Sequence, residues 1–320
     1  MLSHLAAAIV TIVTLSTAAD VAPQPATAPV PAAANPREAL LVSTEWLAKH
    51  LDDPNLVLLH VGDEQEYRAE HIPGARFMSL RDISTPHAPG TLSLEMLAPD
   101  ELRRRLERFG ISDDSRIVVY YGKDWVSPST RVMLTLDWVG LGERTWLLDG
   151  GMPLWKQEGR LVTAAAPAAA KPGRLTARPT RGDLIVDHAF VQRSIRAPGI
   201  VIVDARAPMF YDGPPHGEHR AGHIPSAVSL PFNTVFGDDL RLLSAGSLAT
   251  LFRKAGVKRG DTLVVYCHIG QQATAVVFAA RSLGYAARLY DGSFDDWSAR
   301  KELPVEGGRP GGHPGSGARR

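Results

Sequence analysis

The sequence predicts an α/β protein built as two tandem copies of one unit, each a mainly parallel sheet with helices on both faces. Three observations predict it. Segments recur in the same order: Ala69-Glu-His-Ile-Pro-Gly-Ala75 returns as Ala221-Gly-His-Ile-Pro-Ser-Ala227, Val118-Val-Tyr-Tyr121 as Val264-Val-Tyr-Cys267, and Leu148-Asp-Gly-Gly-Met-Pro-Leu-Trp155 as Tyr290-Asp-Gly-Ser-Phe-Asp-Asp-Trp297. The offsets, 152, 146 and 142 residues, are those of a duplicated globular domain and not of a solenoid. Short β-branched runs alternate with stretches of helical spacing. A chain of 320 residues, 44% hydrophobic, is also long enough for two ordinary cores.

Taken in order, Leu5 to Leu15 is a short apolar run followed by the small residues Ser16-Thr17-Ala18-Ala19, so residues 1–19 read as a signal peptide. The run is too short for a membrane span. The segment before it carries His4 but no Lys or Arg, which leaves an uncleaved anchor or a misassigned start as the alternative. Residues 20–38, rich in Ala and Pro, read as a flexible leader. The expected location is periplasmic or secreted, or cytoplasmic if the leader is not a signal.

The first copy spans 39–162, with strands at Leu56–His60, Arg116–Tyr120 and Thr145–Leu148 and helices at Pro99–Arg108 and Arg131–Val139. Residues 163–180, again Ala/Pro-rich, are a linker. The second copy spans 181–305. Its strands are expected at Ile200–Asp204, Val228–Leu230, Thr262–Tyr266 and Arg288–Tyr290, and its helices at Asp187–Ser194, Ala245–Ala255 and after Cys267 up to Gly284. The Gly/Pro/Arg-rich tail, 306–320, is expected to be disordered.

Cys267 is the only cysteine, so no internal disulfide exists in any compartment. It stands between a strand and a helix, in a tight loop relieved by Gly270. Unpaired backbone N–H groups and the positive end of the helix dipole meet there, and both favour thiolate over thiol. In open α/β sheets that edge is also where ligands bind. The bland alternative is a small buried hydrophobe.

Duplication supplies an internal control. Where the second copy has Cys267, the first has Tyr121, followed by the loop Gly122–Thr130, which reads as longer and carries a proline. Arg206 faces Gly62, and Asp204 faces His60. Nucleophile and arginine are lost together, as expected if Arg206 binds the anionic substrate that Cys267 attacks; a salt bridge holding the loop is the alternative. The first copy is then catalytically silent.

The two His-Ile-Pro turns, the two Asp-Gly-x4-Trp ends and the one cysteine confined to the second copy resemble the tandem-domain sulfurtransferases, rhodanese and mercaptopyruvate sulfurtransferase, over about residues 41 to 305. The resemblance implies two rhodanese-like domains and a persulfide mechanism. Cys267 takes a sulfane sulfur from a donor such as thiosulfate or 3-mercaptopyruvate and passes it to a thiophile such as cyanide or a thiol. The amides of His268, Ile269, Gly270, Gln271 and Gln272 would stabilise the anion, with Arg206 orienting the donor. No cofactor and no metal are needed.

Thiosulfate-using members resemble Cys-Arg-Lys-Gly-Val-Thr in this loop and mercaptopyruvate-using members Cys-Gly-x-Gly-Val-Thr. Here Cys267-His-Ile-Gly-Gln-Gln272 carries neither Lys nor Arg. Cationic help must come from Arg206, from amides, or from His268 if it is protonated beside the thiolate. His268 pointing to solvent is the alternative. The donor stays open, with thiosulfate slightly ahead.

The expected partners are a small anionic sulfur donor and a thiophilic acceptor. A net charge of +1 with dispersed Lys and Arg gives no footprint for nucleic acid, and a monomer is expected. A Cys-x5-Arg phosphatase needs an arginine where Ala273 stands. A non-enzymatic persulfide or redox sensor, or a binding module on the same scaffold, is the rival of a different class. His216, His219 and His223 lack the partners of a metal site. His71, His223, Trp155 and Trp297 occur at matching places in both copies, which argues for structure. Phe210, Tyr211 and Phe236 could line the cleft or pack in the core.

Overall fold

The computed structural model describes residues 35–308 apart from His87, Pro89, Asp124 and Glu218. The stretch expected to be a signal peptide and nearly all of the expected leader and tail therefore lie outside the described residues. The first copy runs β1 (Leu41–Val42), α1 (Thr44–His50), β2 (Leu56–Val61), α2 (Glu64–Ala69), β3 (Arg76–Phe77), α3 (Pro99–Arg108), β4 (Arg116–Tyr121), α4 (Ser127–Trp138), β5 (Thr145–Leu148) and α5 (Gly151–Gln157). The second repeats it as β6 (Ile185–Val186), α6 (His188–Ser194), β7 (Ile200–Asp204), α7 (Pro208–Tyr211), β8 (Val228–Ser229), α8 (Ala245–Lys254), β9 (Thr262–Tyr266), α9 (Ala273–Ser282), β10 (Ala286–Tyr290) and α10 (Ser293–Ala299).

Each copy is one five-stranded parallel sheet, in order β1-β5-β4-β2-β3 and β6-β10-β9-β7-β8. The central strands β4 and β9 are buried on both faces, which is why they read as unbroken Val/Ile/Tyr runs and not as alternation. Both carboxyl ends deliver the chain into the loop before α4 or α9.

Packing joins the copies. One face of each sheet contributes to a single apolar core that holds Val119 and Leu136 from the first copy and Val265 and Val276 from the second. The opposite faces keep separate cores around Trp155 and Trp297. Helices α4 and α9 lie back to back inside the shared core. Thr130 Oγ1 and Thr274 Oγ1 are 2.7 Å apart across them. Every α9 residue but Arg281 is buried, so that helix is apolar around its circumference instead of along one stripe. Gly284, at φ +83°, closes the α9 turn as the glycine in the sequence suggests.

The recurring motifs prove structural. In each His-Ile-Pro turn the isoleucine N–H donates to the tyrosine of the central strand, Ile72 to Tyr120 at 3.2 Å and Ile224 to Tyr266 at 3.1 Å. The preceding histidines stack on Tyr67 and Tyr211. The two tryptophans donate to the chain leaving their domain, Trp155 to Leu161 O and Trp297 to Pro304 O.

Several expectations are corrected. The loop after Tyr121 is not longer: residues 122–126 precede α4 and residues 268–272 precede α9. Pro128 lies in the first turn of α4, where a missing N–H costs nothing, so the sequence hides a helix start there. The leader ends in order, Arg37 donating to the carbonyls of Leu242 and Leu243. Glu306, assigned to the tail, exchanges backbone hydrogen bonds with His223 and accepts from Ser226 N–H. The linker is pinned along the first copy through Gly173, Arg174 and Thr176.

Candidate active site

Cys267 follows β9 directly and is fully buried. Its own N–H donates to Ser293 Oγ at 3.2 Å, and its carbonyl accepts from Phe294 N–H at 3.0 Å. Ser293 sits at φ +52°, an unusual conformation for a side-chain-bearing residue, and its hydroxyl donates to Tyr290 O at 2.9 Å. The first copy has Gly151 there, and a Cβ on it would lie 2.5 Å from Tyr121 Cε2. Cysteine with serine, or tyrosine with glycine, are therefore the two fillings of one space.

From His268 to Ala273, none of the six backbone N–H groups has an acceptor among the described residues; the first bonded amides are those of Thr274 and Ala275. The unbonded groups stand at the start of the ten-residue α9, whose first-turn amides have no partner within the helix. Gly270, at φ +78°, makes the turn, and a Cβ there would fall 2.5 Å from Asp291 O. The loop is held from outside by the first copy. Arg131 of α4, fully buried, donates to Gly270 O at 3.0 Å, to Asp291 Oδ1 at 2.6 Å and to Leu94 O at 2.6 Å. Gln271 Nε2 meets Ser127 Oγ at 3.2 Å.

Arg206 does not present itself to a donor. It is 2% exposed, and its Nε and Nη2 are bound to Asp204 at 2.6–3.1 Å and to Gly222 O at 2.9 Å. Its guanidinium lies 3.9 Å from the Phe294 ring centre. Tyr266 completes the knot by donating to Asp204 at 2.7 Å. Burial alone would lower the Arg206 pKa, but Asp204 outweighs it and the pKa rises. The structure thus corrects the direct donor clamp to the alternative, an ion pair that holds the strand end.

His268 is corrected too. Its ring is edge-on to Phe210 at 4.6 Å and 5.8 Å from His219, and Phe210 also touches His216. Burial first, then the charge of Arg206, pushes His268 down to about 4. The imidazole is neutral at pH 7 and neither cationic nor turned to solvent. Ile269, Gln271 and Gln272 are half-buried and uncharged.

His223 packs on Tyr211, apart from His216 and His219. Among the described residues no group of three His, Cys, Asp or Glu side chains could hold a metal ion. Phe236 lines an apolar recess with Trp125 and Phe232. Arg281, the first arginine after Ala273, pairs with Asp137.

Sequence reasoning missed Arg131, Asp291 and Ser293. The Gly151/Ser293 difference was visible in the repeat. Arg131 left no signal, because it reaches the loop from the other copy.

Fold and site define a class: a duplicated α/β protein in which one copy carries a buried thiol at a strand-to-helix loop and the other copy braces that loop. A model of the rhodanese-like domain matches residues 43–158 and 188–300, and the chain belongs to that family. It is 33% identical over 285 residues to a Pseudomonas aeruginosa protein named "Probable 3-mercaptopyruvate sulfurtransferase", covering 84% of this chain and 99% of the relative. It is 30% identical to the "Sulfur carrier protein TtuD" of Thermus thermophilus (84% and 97% covered). Identity to the 3-mercaptopyruvate sulfurtransferase of Escherichia coli is 28%, with 83% and 97% covered. The crystal structure of YnjE superposes with a TM-score of 0.76 at 20% identity, covering 86% of this chain and 70% of that one. Wild-type EanB gives 0.74 at 20%, with the same coverage. These two show the fold. With its relatives named for sulfur transfer, the chain is a sulfurtransferase in that general sense.

Proposed function

We propose that the protein takes the thiol sulfur of 3-mercaptopyruvate, in preference to the sulfane sulfur of thiosulfate, as a persulfide on Cys267 and passes it to a thiophilic acceptor. The Cys267 thiolate attacks the donor sulfur and an S–S bond forms. The donor's C–S bond breaks, and its electron pair leaves as the pyruvate enolate, which takes up the former thiol proton. Cyanide or a thiolate then attacks the outer sulfur and frees the Cys267 thiolate. The unengaged amides of residues 268–273 stabilise the anionic persulfide.

The observation that carries the donor preference is that, among the described residues, the cations at the loop are engaged: Arg206 is bound to Asp204, Arg131 to Asp291, and His268 is neutral. A dianion loses more hydration on entering such a site than a carboxylate monoanion does, and the amides must repay the difference. The names of the Pseudomonas aeruginosa and Escherichia coli relatives support the same donor. Because Cys267 is fully buried, the donor reaches sulfur only when neighbouring side chains give way.

The test is intact mass after incubation with each donor. The expected result is a gain of one sulfur, faster with 3-mercaptopyruvate, absent in Cys267→Ser and removed by cyanide. Faster loading by thiosulfate would overturn the donor preference. No loading with either donor would overturn the function, and loading without turnover would favour a sensor.

A further inference from the structure

Helix α10 begins without a side-chain cap, and two of its first amides are satisfied by the loop after Cys267 instead. Phe294 N–H donates to Cys267 O and Asp295 N–H to His268 O, both at 3.0 Å. Just before them, Ser293 Oγ accepts the Cys267 N–H at 3.2 Å. Three successive residues of α10 thus hold three successive peptide groups: the one before Cys267, the one after it and the one after His268. Ser293 makes its contact from a fully buried position at φ +52°. Residues other than glycine are uncommon in that region, and those that keep it cluster at functional sites.

The first copy cannot make this grip. The two Asp-Gly-x4-Trp ends set Gly151, Met152 and Pro153 against Ser293, Phe294 and Asp295. Gly151 takes nearly the same backbone angle, φ +50°, but has no hydroxyl. Pro153 has no N–H, and it stands in the first turn of α5, where a helix tolerates that loss. Two of the three contacts are therefore impossible in the copy that has Tyr121 in place of the thiol. The turn itself is common to both copies, so its shape alone does not call for the serine hydroxyl or for the amide of residue 295.

Peptide geometry gives the grip a use. Across a trans peptide plane the N–H points opposite to the C=O. With Cys267 O and His268 O drawn toward α10, the N–H groups of His268 and Ile269 point away from it, and neither has an acceptor among the described residues. Holding both peptide groups of Cys267 also fixes its backbone torsions, and with them the direction of the Cα–Cβ bond that carries the sulfur. We propose that the start of α10 positions the nucleophile: Ser293 and the Asp295 amide aim Cys267 and keep the His268 and Ile269 N–H groups for the anion it carries. The proposal rests on the sulfur-transfer reading and adds Ser293 and Asp295 to it as positioning residues, which act through the backbone of Cys267 and His268.

The first copy supplies the variants. Asp295→Pro removes one N–H at a helix position where α5 already carries proline, and Ser293→Gly removes the hydroxyl at a φ that glycine takes freely. Asp295→Ala keeps the N–H and loses only the carboxylate. Each variant of the full chain is checked by thermal melting and followed by two rates: one-sulfur loading from saturating 3-mercaptopyruvate, read by intact mass in a single turnover, and alkylation of Cys267 by iodoacetamide at neutral pH. Asp295→Pro and Ser293→Gly should each slow both rates at least about tenfold, and Asp295→Ala should lose far less than the proline. A loop that had only been loosened would expose the buried thiol and alkylate faster. Faster alkylation, wild-type rates in both Asp295→Pro and Ser293→Gly, or an equal loss in Asp295→Ala would each overturn the proposal. Ser293→Gly carries the test if Asp295→Pro does not fold. If the wild type takes up no sulfur from either donor, the sulfur-transfer reading fails by itself, and the alkylation rates still decide the role of α10.

Discussion

Arg131→Met is the most informative single change, because it acts on the catalytic loop from the other copy without touching Cys267. Its guanidinium fixes Gly270 O, Asp291 and Leu94 O in a fully buried position. The C=O and N–H of one peptide plane point in opposite directions. Holding the Gly270 carbonyl outward therefore turns the Gln271 N–H inward, toward the space the loop encloses. Methionine fills similar volume but leaves the Asp291 carboxylate, 14% exposed, without its cation. Breaking a buried pair in this way costs about 3–5 kcal/mol of stability. The Gln271 amide is also released to point either way, and loss of one preorganised donor slows a reaction by roughly 100-fold or more. Sulfur loading by intact mass, timed under single-turnover conditions, should fall by about that factor while the denatured protein still titrates one thiol. Asp291→Asn, which keeps the shape and drops the charge, should fall between wild type and Arg131→Met. Loading at the wild-type rate with an unchanged melting temperature in both variants would refute the reasoning.

Three further outcomes follow from other contacts. Asp204→Asn should destabilise the fold by about 3–5 kcal/mol, because it leaves Arg206 buried with its charge unmatched; sulfur loading and Cys267 alkylation should fall together, and selective loss of donor binding alone would restore the clamp role of Arg206. Gly151→Ala should cost about 1–3 kcal/mol, by driving a Cβ into the Tyr121 ring and by placing a side chain at φ +50°; in the Tyr121→Cys background only the steric part should vanish, as a double-mutant cycle of thermal melts would read. His60 titrates near 4 in the fold against 6.5 ordinarily, so on acidification the unfolded chain takes up the proton first. Its contribution is complete above pH 6.5 and is lost as pH falls toward 4, up to roughly 3 kcal/mol; His60→Phe should flatten the melting profile in that window.

Much of this was legible in the chain. The strands Ile200–Asp204, Thr262–Tyr266 and Thr145–Leu148 and the helix Pro99–Arg108 match their sequence bounds, because a buried parallel strand is a continuous apolar run and Pro99 marks a helix start. The short helices α1, α2, α5, α7 and α10 were not read. Four to seven residues carry too little periodicity, and their stability comes from docking onto a sheet. At the site, Cys267 and its amides follow from one strand-to-helix junction, a local feature. The charge states did not follow. Arg206 as a donor clamp was one of two readings, and the sequence alone does not show that Asp204, two residues before it, takes up the guanidinium. For His268 the sequence left a protonated ring and a solvent-facing one both open, because nothing in it places Phe210 and His219 against the imidazole.

The hydroxyl of Tyr121, at the position of the missing thiol, crosses to the other copy and donates to Leu240 O at 2.7 Å. The side chain that stands where the second copy has its thiol is thus a clasp between the two copies. Restoring a cysteine there would open that clasp and leave a hole beside Gly151, while Ser293's counterpart would still be missing. A cysteine at 121 therefore differs from Cys267 in its surroundings as well as in its neighbours, because Ser293 holds the Cys267 N–H and Gly151 offers no such hydroxyl.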